Sequence, residues 1–361
     1  MAAKLPRKSP PPGAAARGAT FAGKVVRWQK RHGRHDLPWQ NTRDAYRIWL
    51  SEIMLQQTQV ATVIPYFERF IARFPDLSTL AAAHEDDVLA WWSGLGYYSR
   101  ARNLHAAARI LMTEHHGKFP ALPAAIAQLP GIGRSTAAAI AALAFGQPYA
   151  ILDGNVKRVL ARHGGIAGWP GEKKTETALW QLAESLLPAT AIEAYTQGMM
   201  DLGALVCTRS QPACTACPVN VDCIAHKQGR IDELPAPRPK KTLPEKQVQM
   251  LLLLDRGELM LEKRPSQGIW GGLWSLPELA PDADAAGHCR DRFGFIALTQ
   301  QALPQFTHSF THFKLHIRPV QLHLAPRHST PPGQIWMPLA DALDAALPAP
   351  VRTLVRQLDR R

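Results

Sequence analysis

Four of the chain's five cysteines lie within 17 residues of sequence, and such crowding indicates a shared ligand. They are Cys207, Cys214, Cys217 and Cys223, with the spacing C-x6-C-x2-C-x5-C. Thiolates this close together can hold either zinc or an iron–sulfur cluster. Zinc sites usually combine two C-x2-C pairs, whereas this run contains one such pair. Four unrelated cysteines are the plain alternative. The remaining cysteine, Cys289, is expected to be a small buried apolar residue.

Length and charge indicate the broad class of protein. At 361 residues the chain is long enough for two domains. A formal net charge of +13 favours a polyanionic partner, although solvated basic tails are also common. No run reaches the roughly 18 apolar residues of a membrane span, and the N-terminus lacks the apolar segment of a secretory signal. We therefore expect a cytoplasmic protein without membrane contact, in whose reducing environment clustered cysteines bind metal.

Changes in composition divide the chain into four parts. Residues 1–22 are rich in Pro, Ala, Gly and basic side chains and are predicted to form a disordered arm. Residues 23–227 show a dense helical pattern, which predicts an all-α domain. Residues 228–246 contain four prolines and no aromatic side chain, which is typical of an extended linker. Residues 247–361 combine strand and helix signals, which predicts an α+β domain.

The signals in the last part can be placed individually. Residues 248–254 and 259–263 flank a turn at residues 255–257, and this pattern predicts a hairpin. Residues 306–317 are predicted to form one further strand. A helical pattern over residues 340–359 closes the chain.

One acidic side chain has apolar neighbours on the predicted helix that begins near residue 46. The residues four before and three after Glu52 are Ile48 and Leu55, and no Lys or Arg is spaced to pair with it. A carboxylic acid in such surroundings should have a raised pKa, which suits general-acid chemistry. A solvent-facing glutamate on an ordinary helix is the alternative.

A glycine-rich turn and an aspartate follow further along the chain. Residues 129–133 (LPGIG) precede an Ala-rich helical run, and the two glycines allow a sharp turn whose bare N–H groups could bind a phosphate. Such turns are also common between helices that bind nothing. Asp153 stands just before an apolar helical repeat, where it could simply cap the helix.

Taken in order, these motifs resemble the helix-hairpin-helix DNA glycosylases of the endonuclease III and MutY families. The resemblance covers roughly residues 35–227. Residues 37–39 (LPW), 51–60 (SEIMLQQTQV) and 94–100 (GLGYYSR) are most similar to MutY. The resemblance implies that the four clustered cysteines bind a 4Fe–4S cluster. It also implies catalytic roles for Glu52 as the acid and Asp153 as the ionised partner, with Asn155 orienting the reacting groups.

The resemblance further implies a set of DNA contacts. Gln57 and Tyr97 would enter the duplex beside the flipped base and its former partner. Where the endonuclease III family has a lysine that forms a Schiff base and cuts the strand, this chain has Ser135, which implies base removal without a strong lyase step. The implied DNA-binding residues are Leu37, Trp39, Gln57, Tyr97, Gly131, Gly133, Ser135, Phe310, Thr311 and His312.

The last part of the chain resembles the Nudix-like (MutT-like) C-terminal domain of the MutY family, through residues 268–277 (GIWGGLWSLP). Gly272 and Glu278 match the opening of the Nudix motif, but the metal-binding run of carboxylates that should follow is missing, so pyrophosphatase activity is not expected. Residues 310–312 (FTH) stand where the family reads 8-oxoguanine, commonly with F-S-H. A hydroxyl group is still available at Thr311. Alternatively, Phe310 and His312 could simply form one face of a strand together with Phe306 and His308.

Together these resemblances imply an all-α helix-hairpin-helix glycosylase domain with an iron–sulfur loop, followed by a Nudix-like α+β domain. The implied activity is that of a monomeric, monofunctional glycosylase. It would remove adenine mispaired with 8-oxoguanine or guanine in double-stranded DNA, and the linker could recruit repair proteins. The alternatives are an endonuclease III-like glycosylase and lyase for oxidised pyrimidines, and a non-catalytic iron–sulfur protein that binds DNA.

Overall fold

The computed structural model of the chain describes residues 12–239, 242–326, 330 and 332–359. The chain divides into two compact units. The first comprises Met1–Ala81 and Ala106–Lys240, and the second comprises Ala82–His105 and Lys241–Arg361. The segment 82–105, which the sequence pattern assigned to the helical domain, therefore belongs to the second unit. Among the described residues, no helix combines the length and apolar character needed to cross a membrane.

Helices account for nearly all regular structure before residue 228. They are α1 Pro12–His32, α2 Ala45–Leu55, α3 Val60–Arg73, α4 Leu77–Ala82, α5 Glu85–Trp92, α6 Ser99–Glu114, α7 Pro123–Ile126, α8 Arg134–Phe145, α9 Gly154–Gly164, α10 Lys173–Ser185, α11 Ile192–Asp201 and α12 Ile224–Lys227. A π-helical turn, Leu202–Val206, and two 3-10 turns, Cys214–Ala216 and Asn220–Asp222, lie between α11 and α12.

The N-terminal arm is shorter than its composition suggests. Helix α1 begins at Pro12, because proline is tolerated in the first turn of a helix, where its missing N–H would have no partner. Phe21, Ala22 and Val25 are buried in the core of the first unit. The prediction of a disordered arm to residue 22 is therefore wrong for Phe21 and Ala22, which are part of the buried core. Residues 1–11 lie outside the described part of the chain.

The predicted linker also begins later than its proline content suggests. Leu234 is only 2% exposed and packs with Cys223 and Ala225. The guanidinium of Arg162 donates to the carbonyl oxygens of Ile231 and Leu234, at 3.2 and 2.8 Å. One apolar anchor and a buried cation thus hold this segment against the first unit, and the prediction of an extended linker from residue 228 is wrong for this part.

The second unit is built on a mixed sheet. Its elements are β1 Glu245–Asp255, β2 Glu258–Lys263, β3 Trp274–Ser275, β4 Glu278–Leu279, α13 Ala285–Phe293, β5 Ala297–Ala302, β6 Phe306–Ser309, β7 Lys314–Leu324, β8 Gln334–Pro338, α14 Leu339–Ala342 and α15 Ala349–Asp359. The central strand order is β3-β2-β1-β7-β5. Strands β1 and β7 are parallel, and β1 and β2 form the predicted hairpin.

Successive side chains of β1 point to opposite faces of the sheet, and both faces are buried here. Leu251 packs in the same cluster as Cys289 of α13, and Leu252 packs with Leu354 of α15. Cys289 is fully buried, which confirms its predicted role as a small apolar residue.

Two predicted elements of this unit are interrupted. The single strand predicted over residues 306–317 is wrong, because the chain reverses after Ser309 and β6 pairs antiparallel with β7. The helix predicted over residues 340–359 is broken between α14 and α15. Pro348 lies at this break, where proline disfavours helical geometry in the residue before it.

Candidate active site

The glycine turn leads directly into α8. Gly131 has a φ of +77°, a left-handed conformation that favours glycine, and Gly133 is the N-cap residue of the helix. Both glycines are exposed, and a Cβ atom built on Gly133 would have no neighbour within 4 Å. The structure therefore leaves open space at the start of α8, and phosphate binding by its first N–H groups stays a prediction.

Ser135, in the first turn of α8, binds to the segment that precedes α9. Its Oγ accepts a hydrogen bond from the backbone N–H of Leu152 at 2.8 Å. This contact fixes the residue next to Asp153.

Asp153 is the N-cap residue of α9, and its Oδ1 accepts a hydrogen bond from the N–H of Val156 at 2.7 Å. The capping role considered for this residue is therefore real. Burial raises the pKa of Asp153, while the N–H groups of Val156 and Asn155 and the charges of Arg158 and Lys157 act in the opposite direction and favour its carboxylate. Two residues on, Asn155 Oδ1 accepts a hydrogen bond from Arg158 Nη2 at 2.9 Å.

Glu52, on α2, lines a cavity of about 370 Å³ in the first unit. Ile48 and Leu55, its predicted apolar neighbours, line the same cavity. Burial raises the pKa of Glu52 to about 8, and the negative charge of Asp153 adds to this rise. The expected rise in pKa is confirmed. The contribution of Asp153 is new, and it means that the two carboxyl groups interact although 100 residues of sequence separate them.

Leu37 and Trp39 also line this cavity, and they are only 9% and 7% exposed. The Trp39 ring packs edge-on against Phe67, with 5.3 Å between ring centroids. These two residues therefore face the interior of the cavity and are not part of the outer surface.

Another wall of the cavity contains a group that the sequence analysis missed. Asp201, at the end of α11, is fully buried and pairs with Arg34, and Gln197 donates a hydrogen bond to it. Arg34 and Gln197 both line the cavity. The sequence does contain a signal for this buried group, because Asp201 is the single acidic residue in the otherwise apolar run 199–202 (MMDL).

Gln57 and Tyr97 share an unusual backbone conformation. Their φ angles are +58° and +50°, in the left-handed region that non-glycine residues rarely occupy. Both are exposed, and the Tyr97 side chain lies near the guanidinium of Arg100. Strained backbone of this kind occurs often at functional sites.

Within the second unit, the loop between β6 and β7 borders a cavity of about 580 Å³, which is also lined by Tyr97 and Trp270. Phe310 stacks on Phe313, with ring centroids 4.3 Å apart, whereas Thr311 and His312 are exposed. The alternative of one continuous strand face therefore does not hold beyond Ser309. At the Nudix-like opening, Glu278 accepts a hydrogen bond from Arg264 at 2.5 Å.

Cys207, Cys214, Cys217 and Cys223 line a single cavity in the first unit. Arg162, 3% exposed, donates through Nη1 to Cys207 Sγ at 3.4 Å. Burial raises the pKa of Cys217 to about 11, so a bound cation would have to stabilise its thiolate. In the part of the chain that the structure describes, no three His, Cys, Asp or Glu side chains lie close enough to ligate one metal ion.

Comparison with known proteins places these features in a family. Residues 50–185 match the model of the HhH-GPD superfamily of base excision DNA repair proteins, and residues 249–357 match that of the NUDIX domain. These two matches confirm the predicted combination of folds. A solved structure of a thermostable thymine-DNA glycosylase superposes with a TM-score of 0.52 at 28% identity, covering 59% of this chain and 98% of that one.

Two adenine DNA glycosylases match nearly the whole sequence. The protein from Buchnera aphidicola subsp. Acyrthosiphon pisum (strain APS) is 39% identical over 343 residues, which are 94% of this chain and 98% of that protein. The protein from Mus musculus is 33% identical over 402 residues, which are 94% of this chain and 78% of that protein. The chain therefore belongs to the adenine DNA glycosylase family.

Proposed function

We propose that this chain is a monofunctional DNA glycosylase that hydrolyses the N-glycosidic bond of adenine mispaired with 8-oxoguanine or guanine. The observation that carries this proposal is the pair formed by Glu52, whose pKa is about 8, and the nearby Asp153. Two carboxyl groups in different surroundings can take opposite protonation states, as glycosidic bond cleavage requires.

The reaction begins when the adenine leaves the base stack and enters the cavity that Glu52 lines, because a base inside a duplex cannot be reached. Protonated Glu52 donates to N7 of the adenine and makes the base a better leaving group. As the C1′–N9 bond breaks, positive charge develops on the sugar, and the carboxylate of Asp153 stabilises it. Water then attacks C1′ and gives up a proton to the Glu52 carboxylate, which leaves an abasic site and restores the acid.

The absence of a strong lyase step rests on two side chains. Ser135 has no amine, and its hydroxyl oxygen is engaged with the N–H of Leu152. The amine of Lys157, on α9, pairs with Glu176 at 2.6 Å. A paired ammonium is a poor nucleophile, so attack on C1′ by an amine is disfavoured.

The four cysteines are proposed to bind a 4Fe–4S cluster. Their shared cavity and all-sulfur donor set fit such a group. When bound, the cluster would make the segment 207–223 more rigid. It would take no part in the hydrolysis. Arg162 supports the same segment, because it donates to the carbonyl oxygens of Thr208 and Arg209 at 2.7 and 3.1 Å.

Recognition of 8-oxoguanine is proposed for the exposed part of the loop between β6 and β7. The hydroxyl of Thr311 can donate and accept hydrogen bonds, and Thr311 and His312 border the cavity lined by Tyr97. The ring of Phe310 stacks on the ring of Phe313, and this contact holds Phe310 at the base of the loop.

The activity is tested by single-turnover base release from a duplex with adenine opposite 8-oxoguanine, with strand breaks scored before and after alkali. The proposal expects adenine loss with breaks mainly after alkali. Breaks before alkali would indicate a lyase, and DNA binding without base loss would indicate a non-catalytic protein.

Thr311→Ala, compared with Thr311→Ser, should lower the preference for 8-oxoguanine over guanine as the opposite base, whereas an unchanged preference would refute the role of this loop.

A further inference from the structure

Tyr97 lies in the turn 93–98, which joins α5 to α6 in the second unit. It is 43% exposed, and its φ of +50° is one that a non-glycine residue keeps only where its surroundings hold it there. Gly94 and Gly96, in the same turn, also have positive φ angles, of +96° and +77°. The contacts that hold this turn therefore decide where the Tyr97 ring points.

The far end of the turn is held by the connection between α14 and α15. Tyr98 is only 8% exposed, and its hydroxyl donates a hydrogen bond to the carbonyl oxygen of Leu347 at 3.1 Å. The same hydroxyl oxygen accepts from the N–H of Gly94 at 3.3 Å. A single buried hydroxyl thus links the two ends of the turn with a segment about 250 residues further along the chain.

The near end of the turn is held by Arg352, in the first turn of α15. Its Nη2 donates to Ser93 Oγ at 2.7 Å and to the carbonyl oxygen of Ala345 at 2.9 Å, and its Nη1 donates to the carbonyl oxygen of Leu343. A guanidinium is a rigid planar fork, so the two carbonyl oxygens fix its plane and direct the remaining N–H towards Ser93.

Helix α15 is also joined to the sheet that carries the loop between β6 and β7. Leu354 of this helix and Ile317 of β7 pack in one buried cluster. Tyr97 and Thr311, which come from the turn and from the loop, border the same cavity of about 580 Å³. One helix therefore connects two segments whose exposed side chains face a common space.

We propose that Arg352 is a positioning residue that holds the turn 93–98 so that the Tyr97 ring enters the duplex beside the base read by Thr311. This inference rests on the proposed function. Arg352 acts through Ser93 on the backbone of the turn and does not touch the DNA. A turn released from this contact would have to be ordered when DNA binds, and this ordering costs binding free energy.

The first test is a double-mutant cycle on single-turnover release of adenine opposite 8-oxoguanine. Arg352→Ala and Ser93→Ala should each slow release about tenfold, because the ring is misplaced. In a protein that also carries Tyr97→Ala, neither change should slow release further, since the ring that they position is gone. Arg356→Ala, at an exposed position one turn later on α15, is the matched control and should keep the wild-type rate.

A second readout follows the Tyr97 ring itself. The probe is 2-aminopurine placed next to 8-oxoguanine, in a duplex with a stable abasic-site analogue opposite, and its fluorescence rises when stacking is disturbed. A side chain inserted between bases disturbs their stacking, so binding of the wild type should raise the signal. The rise should be lost in Tyr97→Ala, reduced in Arg352→Ala and Ser93→Ala, and unchanged in Arg356→Ala.

The outcomes separate positioning from mere support of the fold. If Arg352→Ala slowed release equally with and without Tyr97, the inference would be overturned. Ser93→Ala leaves Arg352 bound to its two carbonyl oxygens, so an unchanged rate and signal in this variant would overturn it even if Arg352→Ala failed to fold. Failure of the wild type to release adenine would refute the proposed function, whereas the fluorescence comparison needs no base release and would still test Arg352.

Discussion

The hydroxyl oxygen of Ser135 accepts a hydrogen bond from the backbone N–H of Leu152, 2.8 Å away. The contact joins the first turn of α8, which follows the glycine turn, to the residue immediately before Asp153. One side chain therefore connects the turn that we propose binds DNA with the carboxyl group that we propose acts in catalysis. Ser135 thus has a structural role of its own.

Ser135→Ala should weaken both the fold and the reaction. Leu152 is only 4% exposed, so its N–H would be left buried without a partner, at a cost of about 1–3 kcal/mol. We expect a lower free energy of unfolding in urea and a slower single-turnover release of adenine. Ser135→Thr keeps the hydroxyl and serves as the control. Unchanged stability in the alanine variant would show that the hydrogen bond is unimportant.

The rate of adenine release should depend on the protonation of Glu52. The acid is active when protonated, and its pKa is raised to about 8 by burial and by the charge of Asp153. The rate should therefore fall as pH rises through about 8, approaching tenfold per pH unit above it. Single-turnover rates between pH 4 and 10 would test this. A limb near pH 4.5, the ordinary value for glutamate, would contradict the assignment.

The same raised pKa has a consequence for stability. Because the native state holds the Glu52 proton more tightly than the unfolded chain does, stability falls as pH rises from about 4.5 to about 8. Glu52→Gln mimics the protonated form and should abolish this loss. We expect it to be more stable than the wild type at pH 9, on the order of 2–4 kcal/mol, and similar at pH 4.

Urea unfolding of both proteins at the two pH values would measure the difference. Glu68, which is exposed on α3, offers a matched control through Glu68→Gln. An equal effect of the two substitutions at pH 9 would argue against a buried, protonated Glu52.

Asp153→Asn should separate capping from catalysis. Asparagine caps helices about as well as aspartate, so the free energy of unfolding should change by less than about 0.5 kcal/mol. Base release should nevertheless fall about 100- to 1000-fold, because the charge that stabilises the sugar cation is lost. Asp284→Asn, at the N-cap of α13, is the matched control and should keep the wild-type rate. Parallel losses of stability and rate in Asp153→Asn would assign the residue a capping role alone.

Sequence patterns predicted the features that depend on near neighbours. The β1–β2 hairpin follows from two apolar runs around a turn, the capping position of Asp153 from its place before a helical repeat, and the raised pKa of Glu52 from apolar side chains one turn away. Predictions from composition were wrong for segments in which a few apolar side chains pack into the core. Phe21 and Leu234 are buried, although they lie in segments whose composition is typical of an arm and a linker.

The sequence by itself determined the combination of folds, the four-cysteine run and the two carboxyl groups, because these are recorded in local spacing and residue type. Only the tertiary structure decided that Asp153 acts on the pKa of Glu52, and that Asp201 meets an arginine 167 residues away in sequence. Contacts of this kind depend on how helices pack, and packing brings together side chains whose separation along the chain carries no periodic signal.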